Sequence, residues 1–145
     1  MTDDLIEISK RAVACRGWRW MPGMATVQGE RAVLVDDDGT LSLAAPWGGT
    51  TVGVTAVLSF FDSSGACLPD LTDPATLGCL LALVREAYRD ASKLWDGHVE
   101  VRRDHRILFF VVSFRHDASG ALVEDTLATG GTEAEALVAA LESAP

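Results

Sequence analysis

The stretch DPATLGCLLALVREAYRDASKLWDGHVEVRRDHRILFFVV, residues 73–112, decides the fold. Asp73 is a favoured N-cap residue and Pro74 suits the first helical position, because proline lacks the N–H that a first helical residue leaves unpaired. Leu77, Leu80, Leu81, Val84, Ala87 and Tyr88 then place an apolar stripe on one helical face, which predicts a helix over 74–91. The period changes after it. Val99 and Val101 alternate with His98, Glu100 and Arg102, the signature of a half-exposed strand. Ile107 to Val112 is apolar at every position and reads as a central strand, joined to the first by a turn near Asp104.

Outward from this centre the same reasoning applies. Ala121 to Ala128 predicts a further strand after Asp117 to Gly120. Thr132 with Glu135 three residues on is a capping box, opening a last helix whose Ala136, Leu137, Ala140 and Leu141 face inward. Towards the N-terminus, Leu5, Ile6, Ile8, Ala12, Val13 and Cys15 recur at helical spacing, with Asp3 and Asp4 at the favoured end of the helix dipole. They predict a helix from about 3 to 15, closed by Gly17. Short strands are expected at 27–28, 32–35 and 41–43, the last two joined by a hairpin turn at Asp36 to Gly39. Val52 to Phe61 is rich in β-branched and aromatic residues and reads as a longer strand. Strands grouped by short turns predict an α+β fold, an antiparallel β-sheet packed with about three helices, as a single compact domain over 1–145 without internal repeat.

Composition bounds the function. The chain has 145 residues, 48% of them hydrophobic, and a formal net charge of −9. That field repels nucleic acid, so no direct duplex binding is expected. No apolar run approaches the roughly 20 residues of a membrane span, and the acidic start is unlike a signal peptide, so no membrane association is expected. Cys15, Cys67 and Cys79 are odd in number and widely spaced, which fits neither a disulfide framework nor a zinc site and does fit a reducing cytoplasm.

Three motifs suggest chemistry and each has a plainer reading. Asp36 to Gly39 resembles a cation loop but lacks the alternating ligands of one, and Asp and Gly are what a hairpin needs. His98, His105 and His116 fall in no metal-binding spacing. Gly48, Gly49 and Thr50, and Gly130, Gly131 and Thr132, are glycine loops without the lysine of a phosphate loop, although the second sits at a helix N-terminus where amides can face an anion. No catalytic residue, metal site or cofactor is assigned, and an enzyme is the less favoured reading.

GWRWMPGM, residues 17–24, is harder to set aside. In extended chain Trp18 and Trp20 share one side and Arg19 takes the other. The indoles either pack beneath the sheet or form a stacking platform, with the arginine taking negative charge. Arg102 to Arg106 is its natural companion, as a solvated turn or as guanidinium forks over an aromatic floor. The candidate ligand-binding residues are therefore Trp18, Arg19, Trp20, Met24, Trp47, Arg102 and Arg106.

WRWMPGM, LPDLTDPATLGCLLALVREAY (68–88) and TEAEALVAALESAP (132–145) together resemble a recurring type of uncharacterised bacteriophage protein. The resemblance implies a phage accessory protein acting in the cytoplasm of the infected bacterial host. Within that class it implies a counter-defence sponge, a homo-oligomer that sequesters a small anionic, nucleotide-like immune signal. The alternatives are an acidic stoichiometric inhibitor of a host defence complex, as anti-CRISPR proteins are, and a minor virion or assembly component.

Overall fold

The computed structural model describes residues 2–35, 41–44, 52–54, 68–91, 95–105 and 108–145. Among the described residues nine elements follow one another: α1 (Asp3–Ala14), β1 (Arg31–Val35), β2 (Leu41–Ala44), β3 (Val52–Val54), α2 (Pro74–Ala91), β4 (Trp95–Arg103), β5 (Phe109–His116), β6 (Leu122–Gly130) and α3 (Glu133–Glu142). The α+β class is as expected, and every strand pairing among the described residues is antiparallel. The strands form two three-stranded meanders, ordered β1-β2-β3 and β4-β5-β6. Among the described residues the order is one helix and three strands, a second helix and three strands, and then α3.

The chain divides into two compact units, Met1–Val13 with Arg19–Cys79 and Ala14–Trp18 with Leu80–Pro145. In the first, α1 carries Asp3 and Asp4 in its first turn and Arg11 in its last, both favourable to the helix dipole. The buried Ser9 hydroxyl lies 2.8 Å from the Leu5 carbonyl and 2.9 Å from that of Pro69, which ties the helix to the loop before α2. The strand expected at 27–28 is instead a turn. Gly29, at φ 87°, brings its N–H 2.9 Å from the Thr26 carbonyl, and the bridges fall earlier, Ala25 with Arg31 and Thr26 with Pro69. Val35 pairs with Leu41, as a hairpin there requires, while its turn residues Asp36 to Gly39 lie outside the described residues. Of the strand expected over 52–61, residues 52–54 form β3 and the remainder lies outside the described residues.

In the second unit, α3 packs on β6 and β5. Its Ala134, Ala136, Leu137, Val138, Ala140 and Leu141 are all buried, as are Val99 and Val111 of the sheet. From α2, Leu80, Leu83, Val84 and Tyr88 are buried. Arg85 donates from Nε to the Val99 carbonyl at 2.8 Å, and the Tyr88 hydroxyl donates to the Ala140 carbonyl at 3.1 Å. Burial pushes the Tyr88 hydroxyl pKa up, which keeps that proton in place. The buried stripe of α2 includes Thr76 and Leu83, whereas Leu77 and Leu81 of the expected stripe are only half-buried.

Thr132 caps α3 as expected, its hydroxyl accepting from the Glu135 N–H at 3.1 Å. The reciprocal bond is displaced by one residue, since Glu135 Oε2 accepts from Gly131 N–H at 2.8 Å. Thr132→Ala should therefore lower unfolding stability by about 1 kcal/mol, and Thr132→Ser should restore most of it, measured by urea denaturation. Equal stability of all three proteins would show that the cap contributes nothing.

Candidate functional site

Exposure alternates over residues 17–20, where Trp18 and Trp20 are half-buried and Arg19 is exposed, and the alternation stops at Met21. The far end of the segment 17–24 is built into the core of the first unit. Gly23, at φ 98°, donates to the Ala32 carbonyl at 2.7 Å, and Ala32 donates back to the Met24 carbonyl at 2.8 Å. A positive φ of this size favours glycine. Met24 is 0% exposed, with the Met21 N–H 3.4 Å from its sulfur, so this candidate ligand contact is a core side chain. Trp47 and Arg106 lie outside the described residues.

Beside Met24 lies a polar network that sequence reasoning missed. Arg31 donates from Nη2 to Asp73 Oδ1 at 2.9 Å and from Nη1 to the Gly23 carbonyl at 2.6 Å. Asp73 Oδ2 accepts from the Thr76 N–H at 2.8 Å and from its hydroxyl at 2.9 Å. The Thr76 hydroxyl in turn accepts from the Ala25 N–H at 2.8 Å. The Arg31 hydrogen bond holds the Asp73 carboxyl below the usual range, and the same bond raises Arg31. The expected N-cap is thus also the anchor for residues 23–25.

The remaining candidate, Arg102, stands on one face of the β4-β5-β6 sheet. Register assigns the residues of that face: Glu100 lies opposite Val112 and Arg102 opposite Phe110, while Glu124 lies opposite Phe114, Thr126 opposite Val112 and Leu122 opposite His116. Arg102 donates from Nε to Glu100 Oε1 at 2.7 Å and from Nη1 to Glu124 Oε2 at 2.7 Å. Its guanidinium carbon is 5.1 Å from the centroid of the Phe114 ring, and the His98 ring packs 5.4 Å from the same ring. His98 Nε2 lies 3.8 Å from Glu100 Oε2. The hydrogen bond to Glu100 raises the Arg102 pKa. The arginine and Glu124 are 48% and 44% exposed, and Leu122 is 61% exposed, while Val112, between Glu100 and Thr126, is buried.

The basic stretch 102–106 is therefore divided. Arg102 takes one face, and Arg103 sits over Phe109 at 5.6 Å. His105 pairs with Asp104, whose N–H closes the loop on the Leu108 carbonyl at 2.8 Å. The amide of Gly131, a candidate for holding an anion, already donates to Glu135. Glu100 could have been found from strand alternation, since residues two apart share a face. Glu124 needed the register between β5 and β6, which depends on a bulge at Leu127.

Burial and the neighbouring Asp73 push the Cys79 thiol pKa up, the reverse of what activates a nucleophile. Cys67 lies outside the described residues. Among the described residues no group of three or more His, Cys, Asp or Glu side chains is placed to hold a metal ion, and no helix is long and apolar enough to cross a membrane. No family model, curated protein or solved structure matches the chain.

Proposed function

We propose that this chain is a binding protein that acts by stoichiometric association with a basic protein surface, docking through the face of the β4-β5-β6 sheet that carries Glu100, Arg102, Phe114, Leu122 and Glu124. One observation carries the reading: the Arg102 guanidinium is already bridged by two carboxylates at 2.7 Å. Two anions around one cation leave a net negative patch beside an exposed Leu122, on a chain of net charge −9. A cationic protein surface complements such a patch and is steered towards it. In the setting that the phage resemblance implies, the partner is the nucleic-acid groove of a host defence protein.

Sequestration of a nucleotide is the weaker reading. It assigns phosphate to Arg102, where Glu100 and Glu124 would stand against the incoming anion. Met24, its apolar contact, is enclosed in the core.

The test is capture from a host lysate by tagged wild-type protein and by a Glu100→Lys, Glu124→Lys double variant, with mass spectrometry of small molecules released on heating. Wild type should retain a basic protein at near-equal molar ratio, and capture should weaken as salt rises from about 0.05 to about 0.3 M. The double variant should capture it at least about tenfold less, a loss of about 1.4 kcal/mol. Equal capture by both proteins, or a nucleotide released at near-equal molar ratio from wild type, would overturn the proposal.

A further inference from the structure

We infer that Glu100, Glu124 and the Phe114 ring form a guanidinium-recognition site, that Arg102 occupies it as an internal stand-in, and that the docking partner inserts an arginine which displaces Arg102. The inference rests on the docking face proposed above and names the chemistry of its ligand.

The site is complete as it stands. Glu100 Oε1 lies 2.7 Å from Nε and 2.5 Å from Nη2, Glu124 Oε2 lies 2.7 Å from Nη1, and the aromatic face lies 5.1 Å from the guanidinium carbon. All three guanidinium nitrogens are engaged by two carboxylates from different strands, over a ring on the strand between them. A planar five-donor fork fits that arrangement, and a lysine ammonium, a compact point charge with three donors, does not. Guanidinium also stacks on an aromatic face and is weakly hydrated, so it transfers from water to such a site readily.

The occupant is displaceable for two reasons. The Arg102 side chain is 48% exposed and its carboxylate partners are 35% and 44% exposed, and ion pairs that wet contribute little to stability. In addition, among the described residues β4 pairs with β5 alone, so no described strand stands in the way of the arginine as it swings outward over that edge. Once out, its charge is met by water. The partner's arginine loses water only once, on docking, and meets a site already shaped for it.

The experiment removes the stand-in. Wild type and Arg102→Ala are titrated with methylguanidinium, with methylammonium as the control, and the Phe114 ring and the Glu100 and Glu124 carboxyl carbons are followed by NMR. Arg102→Ala should bind methylguanidinium saturably at all three residues, at least about tenfold more tightly than wild type and than methylammonium. Arg102→Gln, which keeps the side-chain length without the charge, should behave alike and guards against a folding defect in the alanine variant. In lysate capture both variants should hold the basic partner more tightly than wild type. Absence of shifts at those residues, equal response to the two cations, or weaker capture by both variants would overturn the inference. If charge reversal at Glu100 and Glu124 abolishes capture while the Arg102 variants bind no methylguanidinium, the inference fails and the docking face stands.

Discussion

Gly130→Ala should lower unfolding stability by about 3 kcal/mol, at the upper end of what an added methyl group costs in a packed interior. Gly130 is the last residue of β6 and is buried opposite Phe109. A Cβ built on it would lie 2.5 Å from the Ala136 backbone nitrogen, 2.9 Å from Glu135 Cβ and 3.0 Å from the Glu135 carbonyl carbon. Two of those neighbours are backbone atoms of the first turn of α3, so no side chain can turn aside to make room. Non-bonded carbon contacts are comfortable at about 3.5 Å or more, and the helix would have to lift by about 1 Å to restore that distance.

Lifting α3 disturbs more than one contact. The helix contributes six buried side chains, and Leu137 and Val138 are fully enclosed. Gly131→Ala is the control, because its Cβ would meet only the Glu135 carboxylate oxygen at 3.5 Å. That substitution should be neutral or slightly stabilising, by up to about 1 kcal/mol through the unfolded chain. Urea denaturation of the two variants side by side is the measurement. A Gly130→Ala loss no greater than that of Gly131→Ala would mean that β6 and α3 do not approach as closely as described.

The contrast between these glycines also shows what could be read from the letters. Gly130, Gly131 and Thr132 suggested a loop, and the cap at Thr132 was legible because a capping box is a local signal. That Gly130 is a close-packing residue depends on where the helix lies over the sheet, which is tertiary information. The same division runs through α2. Its start was legible from Asp73 and Pro74, yet its buried face includes Thr76, because that hydroxyl is satisfied by Asp73 and Ala25 in the interior. A hydropathy stripe assigns such a residue to solvent and takes Leu77 and Leu81 in its place.

The candidate site divides in the same manner. Arg102 stood out by composition, but its carboxylate partners come from strand alternation in β4 and from a bulged register with β6. Met24 was drawn towards the surface by its tryptophan neighbours. A backbone pairing of residues 23 and 24 with Ala32 put it inside, and no local pattern announces a bridge between segments eight residues apart.

Asp73→Ala should cost about 2 to 3 kcal/mol at neutral pH. Loss of the N-cap accounts for about 1 kcal/mol. The Thr76 side chain is fully buried, and without Asp73 its hydroxyl proton has no acceptor while its oxygen still serves Ala25, which adds about 1 to 2 kcal/mol. The ion pair itself adds little, because the Arg31 side chain is 48% exposed and its charge is met by water in the variant. Asp73→Asn separates these contributions, since an amide oxygen can still cap the helix but carries no charge for Arg31. It should therefore lose less than Asp73→Ala.

Acid provides the independent check. The Asp73 carboxyl is held below its usual range in the folded chain, first by the Arg31 hydrogen bond, so the unfolded chain takes up the proton first as pH falls. The stability contributed by the carboxylate is thus fully present above the ordinary Asp value of about 3.9 and is lost as pH falls through the lower folded value. The gap between wild type and Asp73→Asn should be constant from about pH 5 to 8, narrow below about pH 4 and close once the folded carboxyl is protonated. Chemical denaturation of both proteins across that range measures the gap directly. A gap that persists unchanged below the folded value would place its origin in packing instead of charge, and Arg31 would then be a bystander to the cap.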